Sequence, residues 1–171
     1  MSQSIHDVAV PTVLRVLSGL SHVLEKGRAH AEQDKIDPSA LLTARLYPDM
    51  YPLTRQVQVV SDNSKGTVGR LAGVEIPKYE DHEATFEQLH ARLEKTATFV
   101  KSINAKQFEG ADSRAIELKF PQVTLNFKDG WDYLVNFALP NLYFHYTTAY
   151  NILRHSGVKL GKGDFMGAQR R

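Results

Sequence analysis

Apolar positions recur every three or four residues over four stretches of this chain, and every second residue over one. In the first stretch, Val10, Val13, Leu14, Leu17, Leu20 and Leu24 share one face, which predicts a helix from about Asp7 to Arg28. Asp7 is its expected cap, Pro11 is placed in its first turn, and Gly27 lies near its end. The next segment is divided by prolines. It reads as a short helix over Leu41–Leu46, a turn through Tyr47, Pro48 and Asp49, and a long helix from near Met50 to Leu71 that stops at Gly73. The inward stripe of this second long helix is Leu53, Val57, Val60, Ser64, Thr67 and Leu71, with Gly66 and Gly69 read as points of close approach by a neighbouring backbone or ring. Asp62 and Lys65 on the same helix read as an exposed i, i+3 ion pair.

The third long helix carries Phe86, Leu89, Leu93, Ala97, Val100 and Ile103 on one face, with Asp81 as its cap and Glu83 in its first turn. Its opposite face, with Glu87, Arg92, Glu94, Lys95 and Lys101, reads as solvated. The period then changes to two: RAIELKF and VTLNFK alternate apolar and polar residues around Pro121–Gln122. This predicts a β-hairpin over about 113–128, closed by a loop longer than two residues, with its apolar face on the helices or on a partner. The last apolar stretch, from Trp131 to Gly157, is a helix interrupted by Pro140, Asn141 and His145. The fold class is therefore mainly all-α: one domain, a four-helix bundle with the hairpin inserted between helices three and four.

Composition narrows the function classes. With 171 residues, 42% hydrophobic and 23% charged, the chain can bury one core. Four of 21 basic residues but only one of 19 acidic ones fall between Gly157 and Arg171. The pI near 8.8 thus comes from a basic tail of about 158–171 on a near-neutral body, a poor footprint for nucleic acid. There is no cysteine, which excludes thiolate nucleophiles, disulfides and Cys-ligated metal. The N-terminus lacks a signal peptide's basic region, and no apolar run is read as membrane-spanning, so the expected location is cytoplasmic.

Candidate chemistry concentrates in the last helix. Leu134, Ala138, Asn141, His145, Thr148 and Ile152 follow spacings of four and three, a stripe apolar at its ends and polar in its middle. The adjacent stripe of Val135, Leu139, Leu142, Tyr146, Ala149 and Leu153 is almost wholly apolar. Buried polar groups must be paired or used, so Asn141, His145, Thr148 and Tyr146 are the candidate ligand-binding residues. Pro140 removes an N–H and predicts a kink that frees the carbonyl of Asn136 near Asn141. Thr148 is expected to bond its own helix backbone. Three roles stay open for His145: a hydrogen-bonded core residue, a ligand or acid–base group, and a metal ligand.

The wording NFALPNLYFHYTTAYNILRHSGVKLGKGDF, together with the four-helix layout, resembles an uncharacterised family of the DinB/YfiT-like superfamily of metal-dependent bundle proteins. Metal-binding members of that superfamily carry one histidine near the start of the second helix and two, four residues apart, on the fourth. His145 matches the latter of that pair and Asn141 stands at the former. No histidine lies between His30 and His82. Asp49 is the nearest substitute there, so the ligand set implied for a divalent Zn or Ni is His145, Asn141 and Asp49, with the three-histidine motif broken. The leading expectation is a small-molecule-binding bundle, homodimeric, with a pocket near Asn141 and His145. A metal-dependent thiol transferase or hydrolase, and a purely structural or interaction module, are the alternatives.

Overall fold

The computed structural model describes residues 4–167. Its order is α1 Ile5–Asp34, α2 Pro38–Leu42, α3 Leu53–Ala72, α4 Phe86–Ser102, a 3₁₀ turn Ala105–Phe108, β1 Ile116–Lys119, β2 Thr124–Phe127, α5 Gly130–Tyr133, a π turn Leu134–Ala138, α6 Leu139–His155 and α7 Lys162–Met166. The fold is mostly helical, with one small two-stranded sheet. α1 packs on α3, α4 and α6, and α3 also packs on α4 and α6.

Helix α1 is longer than its pattern predicts at both ends. Ser4 rather than Asp7 caps it, its side chain accepting from the Asp7 N–H at 3.2 Å, and Lys35 closes it in the left-handed region. Pro11 therefore lies inside the helix, not in its first turn. This helix is long and apolar enough to cross a membrane by length and composition, contrary to the sequence reading. Half of its most apolar window is buried against the other helices.

Pro38 opens α2 and Asp37 caps it, so the short helix begins before Leu41 and ends at Leu42. Helix α3 follows its predicted stripe: Leu53, Val57, Val60, Ser64, Thr67 and Leu71 are all buried. What Gly69 makes room for is the side chain of Ile76, and what lies against Gly66 is the Arg70 guanidinium, neither a backbone nor a ring. At the C-terminus Gly73 takes φ +67, which an L side chain rarely adopts, so the helix stops there.

Residues 74–85 have no helix or strand and run across the α3–α4 seam. Thr85, not Asp81, caps α4. Its hydroxyl accepts from the Gln88 N–H, and the Gln88 side chain reaches back to the cap, a reciprocal pairing that Asp81 is too far upstream to make. Asp81 and Glu83 instead turn onto Arg92. Arg92 is buried, not part of the solvated face: its guanidinium meets Glu83 at 3.0 Å, Asp62 at 3.0 Å, Asp81 at 3.0 Å and the Glu80 carbonyl at 3.0 Å. Lys65 is buried as well, bonded to Asp62 at 3.0 Å and lying 5.0 Å from the centre of the Tyr79 ring, so this pair is not the exposed one its spacing suggests. Charges that look solvated in the sequence are covered by the 74–85 segment, which brings Asp81 and Glu83 to Arg92 and the Tyr79 ring to Lys65.

The two alternating runs pair as an antiparallel hairpin, with Ile116 opposite Phe127 and Leu118 opposite Leu125. Its connection is tighter than expected: Phe120 and Val123 exchange both backbone bonds, at 2.9 and 3.3 Å, leaving only Pro121–Gln122 as the turn. Ile116 and Leu118 are buried, and Phe127 packs edge-on to Tyr133 at 5.3 Å.

The tail also departs from its reading. Val158 and Leu160 are buried, and α7 docks on α1 through Asp164, which accepts from His22 and Lys26 at 2.9 Å each. Burial opposes the charge on Asp164, but the Gly161 N–H, His22 and Lys26 outweigh it and hold the carboxyl at about 2. Arg170 and Arg171, which carry much of the basic character, lie outside the described residues.

Candidate functional site around His145

The break expected at Pro140 takes the form of a π turn. A proline ring in a regular helix collides with the carbonyl four residues earlier, and the wider winding of Leu134–Ala138 lets the helix continue through Leu139–His155 without a stop. That winding fixes which residues of the terminal run face α3. His145 does, half-buried, while Thr148 is buried with its hydroxyl donating to the Phe144 carbonyl at 2.7 Å, as expected. Asn141 is half-buried, and its side chain has no hydrogen-bond partner among the described residues. Val135 and Phe144 are exposed, so the apolar character of this run does not translate into uniform burial.

Facing His145 from the start of α3 is Gln56, a residue the sequence pattern did not single out. His145 Nδ1 and Gln56 Oε1 are 2.7 Å apart. Gln56 is buried, and its Nε2 donates to the Tyr51 carbonyl at 3.1 Å. A carbonyl only accepts, so the nitrogen end of the amide must face Tyr51, and the oxygen end must face the imidazole. His145 therefore carries its proton on Nδ1 and donates it to Gln56. Burial pushes the His145 pKa below its ordinary value, and the nearby Arg55 guanidinium pushes it the same way. The ring is neutral at pH 7, with a lone pair on Nε2 that meets no partner among the described residues. The Phe144 ring stands edge-on to it at 5.1 Å, and Tyr51, exposed, stacks with Arg55 at 5.7 Å.

Two residues of the expected site are elsewhere. Tyr146 turns to the α1 side: its hydroxyl donates to the Phe165 carbonyl at 2.8 Å and its ring stacks on Phe165 at 4.2 Å. Successive residues on a helix project about 100° apart, so Tyr146 cannot share the face of His145. Asp49 is exposed in the turn between α2 and α3. Neither Asn141 nor His145 lines the clefts at α1–α4, at the N-terminal end, at the end of α1 or beneath α7.

The donor set bears on metal. Among the described residues no three His, Asp or Glu side chains come together as ligands. Both ends of the Gln56 amide are already engaged, and Asn141 offers only a neutral oxygen, a weak ligand for zinc or nickel. These residues do not fit a three-ligand divalent site.

The sequence profile of a domain of unknown function, DUF1993, matches residues 5–166. The chain belongs to that family. Its fold is also that of a solved DinB family member protein from Shewanella denitrificans, which is 36% identical, with a TM-score of 0.88 over 98% of this chain and 94% of that one. No curated protein matches the chain. Membership accounts for the DinB-like resemblance of the terminal run and carries no reaction with it.

Proposed function

We propose that this DUF1993 chain is a DinB-type four-helix bundle, with the hairpin inserted between its third and fourth long helices, that binds a small protic molecule through His145 without a metal. The observation that carries the reading is the 2.7 Å bond from His145 Nδ1 to Gln56. It locks one tautomer and leaves Nε2 as a fixed acceptor at the edge of the helices, beside Asn141. A ligand offering an O–H or N–H to Nε2 and an apolar surface to Tyr51 and Phe144 matches that chemistry. A metal-assisted transferase or hydrolase needs two more donors than these residues bring. The exposed Val135 and Phe144 support the expectation of a homodimer.

The test is long-range ¹H–¹⁵N NMR of the histidine rings in untagged protein, with and without one equivalent of Zn²⁺. The expected outcome is an Nδ1-protonated neutral ring for His145 that zinc leaves unchanged. Stoichiometric zinc binding that shifts His145 Nε2 would overturn the proposal in favour of the metal-dependent alternative.

A further inference from the structure

A second feature lies on a different face. Helices α1 and α4 pack together and leave between them a cleft of about 620 Å³, within the range that small ligands occupy. Leu14, Leu17, Leu93 and Ala97 form its apolar lining. Because the helices run antiparallel, one end of the cleft joins Ser21 and Glu25 of α1 to His90 of α4. His90 Nδ1 is 3.0 Å from Ser21 Oγ, and its Nε2 is 3.7 Å from Glu25 Oε2. That last distance is too long for a hydrogen bond, and Nε2 is buried with no partner among the described residues. A buried ring nitrogen left unbonded is a cost that a hydrogen-bonding partner in the cleft would offset.

The charges at this end specify what could. Glu25 and Glu94 both line the cleft, and Glu94, one turn beyond His90, has no ion-pair partner among the described residues. The nearby cations are taken: Arg28 by Glu25 and Glu32, and Lys26 by Asp164. Lys101 lies three turns of α4 away, at the other end. Glu25 is already paired with Arg28, so the free charge at this end of the cleft is the Glu94 carboxylate, which suits an ammonium head and repels a carboxylate one. From His90 to Ala97 is seven residues, roughly 10 Å of helical rise, about the reach of an octyl chain.

We propose that the α1–α4 cleft is a binding site for a primary alkylamine, its ammonium held by Glu94 beside the Ser21–His90 pair and its chain lying along the leucines. The site is independent of His145, which sits on the α3–α6 seam. The experiment titrates the full chain with octylamine and, separately, with octanoate, followed by ¹H–¹⁵N correlation spectra. The expected result is saturable shifts at Ser21, His90 and Leu93, unmoved resonances around His145, and octanoate weaker by at least about tenfold, the scale of one charge-assisted bond. Glu94 is exposed, so Glu94→Lys should leave the fold intact and reverse the preference toward octanoate. Ala97→Trp, which fills the floor, should abolish the shifts. Shifts that never saturate, equal response to both amphiphiles, or a preference untouched by Glu94→Lys would overturn the proposal.

Discussion

Replacing Arg92 by methionine keeps most of its hydrocarbon and removes the guanidinium on which the 74–85 segment converges. Its partners are not equivalent. Asp62 and Asp81 are 38% and 39% exposed, so each returns to water when the cation goes and contributes little to the loss. Glu83 is 8% exposed against an arginine that is 2% exposed, and it would be left as a buried charge. Breaking a buried pair by removing one partner costs about 3–5 kcal/mol, a large share of the roughly 5–15 kcal/mol that holds a typical domain.

The pH dependence carries the sign. Burial pushes the Glu83 carboxyl up, but Gln58 and Arg92 outweigh it and hold it below its usual value. A depressed carboxyl stabilises the fold above its unfolded pKa, and that contribution is lost as pH falls through the folded value. In Arg92→Met the burial effect is no longer countered by the cation, so the carboxyl moves upward and the variant's deficit is greatest at pH 7 and shrinks toward pH 4. Urea unfolding followed by circular dichroism at both pH values measures this, with Glu83→Gln as the second arm of a cycle. A loss below about 1 kcal/mol at pH 7, or an equal loss in the Glu83→Gln background, would refute the argument that the stranded carboxylate is the source.

Gln56→Glu places a carboxylate against the His145 ring and should raise its pKa above the ordinary value. The new pair would then stabilise below that value and weaken as pH rises through the folded pKa, and an NMR titration of the ring in which it still titrates low would contradict the assigned hydrogen bond. At Gly130 an added Cβ would run into the Ala111 carbonyl and come within 3.0 Å of Ile5 Cδ1, so Gly130→Ala should cost about 1–3 kcal/mol by thermal melting. Gly161→Ala, whose Cβ has only the Asp164 carboxylate at 3.9 Å for company, serves as the near-neutral control.

Periodicity alone was enough for the long helices, the two hairpin strands and the polar middle of the last helix, because each depends on residues within a few turns of one another. The stripes of α3 and α4 and the inward alternation of Ile116 and Leu118 are local consequences of side-chain direction, which at the turn leaves Phe120 exposed. His145 was equally visible, as an imidazole in the polar middle of a stripe with apolar ends. Tertiary structure alone decided its state. Gln56 lies 89 residues away and looks like any polar residue beside a core stripe, yet its amide sets the tautomer. Ser21 and His90 have no local spacing that announces them, and Arg92 has the pattern of a solvated face until the segment before α4 folds its acids onto it. A local pattern reports which way a side chain points from its own element. What waits there, and how much water is left between, depends on segments that meet only when the chain closes, and that meeting determines which charges are paired, which nitrogen keeps its proton and which surfaces stay open.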